Sequence, residues 1–402
     1  MIIRARVVVT MDGPPIDNGA VVVSGDRIVD VGPFSDISEK HSPEEIVDLG
    51  EQALLPGLIN GHCHLDYTSL RGRIQRQKSF TDWIRAINAE KAKLSTEDYV
   101  ASINDGFVEA KRFGTTTIAN LTAFPELISR IEPQIRTWWF AELIDVRDPG
   151  RANEIVDSIV EQLKSHEHWG LAPHSPFTAS ANLYRRCEEV FQRENVLLTT
   201  HLAESSEEME MFRNARGALY EFLKEIGRPM TDCGKRTPIA EFFERMPAID
   251  RDRPYLLVHL NEISISDGSL LSNATKSFSI VHCPRSHEYF GHSPFELMKL
   301  RGLGFNVCLG TDSLASNEDL SLFAEFRAFQ REFPEVSPEE ILKMVTVNAA
   351  NALHENTLGK IHINFLADLI AVPCRGSASI YEEIVAFDQR IGWSMIGGRI
   401  LP

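Results

Sequence analysis

Apolar residues along this chain change periodicity twice. From Met1 to about Gln52 they fall in β-branched blocks, Arg6–Thr10, Ala20–Ser24 and Arg27–Val31. Gly13-Pro14-Pro15, Asn18-Gly19 and Gly25-Asp26 cut these blocks apart, which predicts short strands joined by turns. Between residues 54 and 357 short apolar runs alternate with stretches whose apolar positions lie three or four apart, as in Ala181–Arg193 and Leu320–Phe333. The short runs are Leu54–Ile59, Thr115–Ala119, Thr137–Ala141, Gly170–Pro173, Val196–Thr200, Tyr255–Val258, Phe278–Val281 and Asn306–Leu309. Eight strands with helical text between them predict an α/β chain closed into a (β/α)8 TIM barrel. Strand-and-turn text returns in Phe365–Val372 and Trp393–Ile400. Neither terminus is long enough to bury a sheet alone, so the two are expected to form one small β-sandwich. The predicted domains are 1–53 and 358–402 for the sandwich and 54–357 for the barrel. The connection from about 205 to 254 is long, with helix-like Ala218–Ile226 and Pro238–Arg245, and is expected to be an insertion over the barrel mouth and a candidate lid.

Functional groups of a TIM barrel sit at the C-terminal ends of its strands. The polar residues that follow the predicted strands are His62, His64, Glu142, His174, His201 with Glu204, His259, His282 and Asp312. Singly, each His reads as a packed or hydrogen-bonded residue and Asp312 as a turn or helix cap. Jointly they do not, because no structural demand puts a His at the same end of successive strands. The run Leu54-Leu-Pro-Gly-Leu-Ile-Asn-Gly-His-Cys-His64 shows the logic. Residues two apart on a strand share a face, so His62 and His64 point together and Cys63 points away. Two imidazoles on one rigid edge are half of a metal site.

Composition narrows the function class. Hydrophobic residues make up 43% of the 402, ordinary for a globular core. A formal charge of −16 opposes nucleic-acid binding, which needs a basic face. Six scattered Cys without a C-x-x-C pattern predict reduced thiols, and with no signal-like or membrane-length segment the expected location is the cytoplasm.

Several strings then point to one family. Thr200-His-Leu-Ala-Glu204, Leu257-Val-His259 and Leu309-Gly-Thr-Asp-Ser-Leu-Ala-Ser316 join the His62-x-His64 run and Ala367-Asp-Leu-Ile-Ala371. On these the chain resembles the amidohydrolase superfamily, in its deaminase and chlorohydrolase branch, over nearly its whole length. The resemblance implies one divalent transition metal held by His62, His64, His201 and Asp312, with a water in the open position. Binuclear members carry a bridging Lys or Glu after strand four, where this chain has Ala172-Pro-His-Ser-Pro176. Three imidazoles and a carboxylate suit Zn2+ first, then Fe2+ or Mn2+. The implied catalytic roles are Asp312 as acceptor of the water's proton, His259 as its orienting partner, and Glu204 as the acid that protonates a ring nitrogen.

Pro173-His-Ser-Pro-Phe177 resembles the P-H-S-P-Y of deaminases acting on S-adenosylhomocysteine, methylthioadenosine or aminodeoxyfutalosine, which implies that His174 contacts a ribose. Trp83 is expected to line the pocket and Glu142 to bond a ribose hydroxyl. The segment after strand seven departs from the family's H-N-P-x-S-N-L-K-L. Here it reads His282-Cys-Pro-Arg-Ser-His-Glu-Tyr-Phe-Gly-His292, and the added cations make the Arg285-Ser-His287 loop, with His292 nearby, the expected contact of an anionic substrate tail, with His282 a further expected substrate contact. The expected function is hydrolytic deamination of an adenosine-like nucleoside, aminodeoxyfutalosine first and S-adenosylhomocysteine next. The alternatives are guanine deamination, s-triazine dechlorination, cyclic-amide hydrolysis, or a binding protein without catalysis. The expected partners are a small-molecule substrate and, by the same resemblance, a second copy in a homodimer, with neither nucleic acid nor membrane.

Overall fold

The computed structural model describes residues 1–41, 45–194, 196–246, 255–274 and 278–401. Eight parallel strands form the barrel: β1 (Leu58–His64), β2 (Thr115–Thr122), β3 (Arg136–Leu143), β4 (Trp169–Pro173), β5 (Leu197–Leu202), β6 (Tyr255–His259), β7 (Phe278–His282) and β8 (Asn306–Leu309). Each pairs with the next in sequence. The chain leaves β8 through Gly310-Thr311 and resumes as the short strand Asp312–Ser313, which pairs with Cys63 and His64 of β1. The sheet thus returns to its starting strand.

The inside–outside pattern follows the two-residue period of a strand. Leu256 and Val258 of β6 join an inner cluster with Ile59, Leu121, Phe140, Val281 and Cys308. Tyr255 and Leu257 join the outer cluster, which includes Val156, Leu183, Phe191 and Phe326 of the surrounding helices. In β1 a bulge between Asn60 and Cys63 interrupts this pattern. Strict alternation from inward Ile59 would turn His62 outward. With the bulge, both imidazoles face inward and Cys63 packs outward, its Sγ 3.7 Å from Ala119 O.

Two contacts lock the closing seam. Asn60 Nδ2 donates to Thr311 Oγ1 at 2.8 Å, and Thr311 N–H donates to His62 O at 3.0 Å. Gly310 is required there, since a Cβ would lie 2.7 Å from His62 O.

The two termini share an eight-stranded mixed sheet. Its backbone order runs from Arg399–Ile400 through Trp393–Ile396, Leu369–Pro373, Gln52–Pro56, Ile2–Val8 and Ile16–Ser24 to Arg27–Pro33. The far edge folds back on the C-terminal segment, where Ile28 N–H donates to Phe365 O at 2.9 Å. Ile3, Val8, Val21, Ile28, Leu54, Leu369 and Met395 fill the interior.

Two expectations shift. The predicted strand Leu54–Ile59 is divided: Leu54 and Leu55 pair with Ala371 and Ile370 in the small sheet, and the barrel strand starts at Leu58. The division falls at Gly57, where a Cβ would meet Thr116 Oγ1 at 2.1 Å, so the border moves from 53/54 to this residue. The segment 358–402 is also not wholly sheet, because helix Ile380–Ala386 buries Ile380, Ile384 and Val385 in the barrel's outer core.

In the expected insertion, helices Ser206–Asn214, Ala218–Glu225 and Pro238–Arg245 are formed, and residues 247–254 lie outside the described part. This segment is tied down under the loop after β4. Arg228 Nε donates to Phe177 O at 2.8 Å, Arg245 Nη1 donates to Pro176 O at 2.7 Å, and both guanidinium groups bond Asp232. Among the described residues, no helix is long and apolar enough to cross a membrane, and all six Cys are free and buried.

Candidate active site

The C-terminal strand ends converge on a cavity lined by His64, Glu142, His174, His201, Glu204, His259 and Asp312. His62 lies fully buried just beneath it. His201 Nε2 is 3.3 Å from both His62 Nε2 and His64 Nε2. Asp312 Oδ1 stands 3.7 Å from His62 Nε2 and 3.9 Å from His64 Nε2. A carbonyl oxygen can only accept, so the 2.9 Å contact of His201 Nδ1 with His174 O places the ring proton on Nδ1. His201 Nε2 therefore presents a lone pair to its two neighbours.

These donors fit a divalent metal. Ligand nitrogens at about 2.0–2.1 Å from one tetrahedral ion are about 3.3–3.4 Å apart, the spacing of these Nε2 atoms. A ligand imidazole must be neutral. Burial pushes His201 down to about 3, helped by the charges of His174 and His62, and holds His64 well below the usual histidine range. Burial alone would raise the Asp312 carboxyl, but the His62 hydrogen bond and the charges of His259, His62 and His64 hold it well below the carboxylate range. Ser286 Oγ donates to Asp312 Oδ2 at 2.6 Å and fixes the carboxylate's other oxygen. No Lys follows β4, whose sequence is Trp169-Gly-Leu-Ala-Pro173.

Backbone strain marks the same place. Ala203, His259, Leu260 and Asp312 take positive φ of 50°, 74°, 51° and 57°, each costing about 1–3 kcal/mol. At His259 this breaks the alternation that would send its ring outward after inward Val258.

Glu204 and His259 supply groups for proton transfer. Glu204 is 8% exposed, and burial, then the charges of Asp312 and Glu208, raise its carboxyl well above the usual range. Its Oε1 lies 3.6 Å from His259 Nε2. Burial keeps His259 well below the usual histidine range, as a neutral base. His174 is pushed to about 3, by burial first and then by the charges of Lys91 and His62, and its Nδ1 lies 2.6 Å from Thr178 Oγ1.

A family model for the amidohydrolases matches residues 53–400, most of the chain. This chain is an amidohydrolase. As such it is a hydrolase acting on C–N bonds, built on a TIM barrel. A second, short match, to an imidazolonepropionase-like composite domain of bacteria, covers residues 19–41. The amidohydrolase is 27% identical over 376 residues to a 5-methylthioadenosine/S-adenosylhomocysteine deaminase of Pyrococcus furiosus, covering 88% of this chain and 83% of the relative. In fold it is similar to Helicobacter pylori aminofutalosine deaminase in complex with methylthio-coformycin, with TM-score 0.89, 20% identity and all of both chains covered. It is also similar to an adenosine deaminase from Xanthomonas campestris with bound zinc, with TM-score 0.83, 22% identity, and 99% of this chain and 92% of that one covered.

The structure brings together all four expected ligands, the acid–base pair, and Trp83, Glu142 and His174. Two expected substrate contacts lie elsewhere. Arg285 opens the helix Pro284–Phe290, where its guanidinium meets Asp319 Oδ1 at 2.7 Å and Glu318 Oε2 at 3.2 Å. It lines a separate surface groove with Arg76 and Arg331, because those carboxylates already hold it. His282 is fully buried, stacked on Phe295 with ring centroids 4.0 Å apart, and is a packing residue behind the cavity. Missing from the sequence reading are Ser286 and, beside the expected Trp83, the rest of one face of the helix Phe80–Lys91, namely Ile84, Ile87, Asn88 and Lys91. The spacing of that face, at steps of one, three, one and three residues, was the available signal.

Proposed function

We propose that this amidohydrolase hydrolytically deaminates adenosine-like nucleosides, with aminodeoxyfutalosine the first candidate substrate and S-adenosylhomocysteine the second. The observation that carries this reading is that Glu204, its carboxyl raised well above the usual range, shares one cavity with His174 and with His64, His201, His259 and Asp312. His62, His64, His201 and Asp312 would hold a divalent metal, which would lower the pKa of a bound water toward about 7.

The residues then act in order. Asp312 and His259 take a proton from the attacking water, which adds to the ring carbon bearing the amino group. Glu204 gives its proton to the adjacent ring nitrogen as charge builds there. Return of a proton to the amine lets ammonia leave, so nucleoside and water become the oxo-nucleoside and ammonia. His174 and Glu142 stand beside the acid on the cavity wall, where a ribose would lie. Trp83, Phe80 and Phe177 form the apolar wall against which the ligand packs.

The similarity to a methylthioadenosine/S-adenosylhomocysteine deaminase and to aminofutalosine deaminase supports this reading. Ammonia release tests it, using metal-replete protein with adenosine, methylthioadenosine, S-adenosylhomocysteine, aminodeoxyfutalosine, guanine and a chlorotriazine. Turnover is expected for the adenosine nucleosides. Faster turnover of guanine or the triazine, or none at all, would contradict the reading.

A further inference from the structure

Helix Phe80–Lys91 forms one wall of the catalytic cavity and is held firmly. Ser79 Oγ accepts the Asp82 N–H at 3.0 Å, and Glu207 Oε1 accepts the Phe80 N–H at 2.8 Å. A lysine in the last turn suits the negative end of the helix dipole. The neighbouring basic residues are paired: Arg85 meets Glu225 at 3.3 Å and Lys93 meets Glu90 at 2.6 Å. Lys91 is different. Among the described residues no carboxylate forms an ion pair with it, although the chain carries 57 acidic residues against 41 Lys and Arg. Its Nζ instead rests 4.6 Å from the centroid of the Tyr67 ring, another cavity residue.

Lys91 is also the one Lys or Arg among the residues that line this cavity. A cation over an aromatic face is weakly bound, by about 0.5–1 kcal/mol at exposed sites, and keeps its N–H donors free for a stronger partner. The carboxyl-bearing residues that line the same cavity are Glu142, Glu204 and Asp312. Away from the ligand set, a ligand anion in this cavity would therefore find one Lys or Arg side chain to pair with.

We propose that Lys91 selects substrates by binding a carboxylate or phosphate on the part of the nucleoside remote from its amino group. The proposal rests on the nucleoside-deaminase reading and replaces Arg285, which faces away, as the anion-binding residue. On that reading the purine end lies at Glu204 and the ligand set, and His174 lines the same cavity as Lys91. The charge of Lys91 is felt at His174, which places the two within electrostatic reach.

The experiment compares kcat/KM for adenosine, methylthioadenosine, S-adenosylhomocysteine, aminodeoxyfutalosine and adenosine 5′-phosphate in the metal-replete wild type, Lys91→Met and Lys91→Arg. The wild type is expected to favour an anionic substrate over adenosine by roughly 10–100-fold. Lys91→Met should bring that ratio close to one, and Lys91→Arg should keep most of it. The phosphate and carboxylate arms show which anion is meant. An unchanged ratio in Lys91→Met, equal losses for neutral and anionic substrates, or a wild type indifferent to charge would overturn the role of Lys91 and leave the deaminase reading intact. Failure of the metal-replete wild type on every nucleoside would overturn the deaminase reading, and the proposal with it.

Discussion

The floor of the cavity and its wall are built on different principles. The floor is made of strand ends: His62 and His64 on β1, His201 on β5, His259 on β6 and Asp312 just beyond β8. Each is positioned by a sheet whose hydrogen bonds close on themselves, so the side chains inherit the rigidity of the barrel. The wall is made of a helix and loops, namely Phe80–Lys91, the β4 loop around Phe177, and helices 206–245 behind them. It is held by side-chain hydrogen bonds such as Glu207 to Phe80 and Arg228 to Phe177. The contrast implies that the floor sets whether reaction occurs and the wall sets on what.

Substitutions can break or sharpen this contrast. The largest effect is expected at the floor. His201→Ala removes a ligand from the centre of the set, and should lower both metal content and activity, the latter by more than about 10³-fold. Metal analysis beside turnover checks this, and a variant that kept its metal would remove His201 from the ligand set.

Glu204→Gln should keep the metal and lose about 10²–10⁴-fold in kcat, since the amide has the shape but not the proton. The pH profile adds a sign. The Glu204 carboxyl is raised, and it works as an acid only while protonated. Activity should fall as pH rises through its elevated pKa, and the residual activity of the Gln variant should lack that limb.

Ser286→Ala removes the 2.6 Å bond to Asp312 and should cost about 10–100-fold in metal affinity, with the fold intact. A chelator competition titration measures it.

The smallest effect belongs to the wall. Trp83 packs on Phe290 with ring centroids 4.9 Å apart, and Trp83→Ala should raise KM by about tenfold or less while kcat stays near the wild-type value. A fall in kcat as large as that of Glu204→Gln would erase the distinction between floor and wall.

The same division explains what could be read before the structure. Strand ends were legible because a two-residue period fixes direction, so His62 and His64 had to point together. Which way the pair pointed was not legible, because it depends on the bulge between Asn60 and Cys63. The border at Gly57 was hidden for a similar reason: the need for glycine comes from Thr116, distant in sequence. Arg285 misled because charge was read without direction. Its partners Asp319 and Glu318 follow β8, and only the closed barrel brings them to the β7 side. Lys91 was readable in principle from the helical spacing with Trp83 and Ile87, but which face of that helix looks into the cavity is set by tertiary contacts.

The central claim is that one metal, held by His62, His64, His201 and Asp312, drives the deamination. Titration of Zn2+ into chelator-treated protein, with ammonia release from an adenosine nucleoside followed at each step, tests it most directly. Activity should start near zero, rise linearly and break at one equivalent per chain. A break at two equivalents, or full activity without metal, would contradict the account.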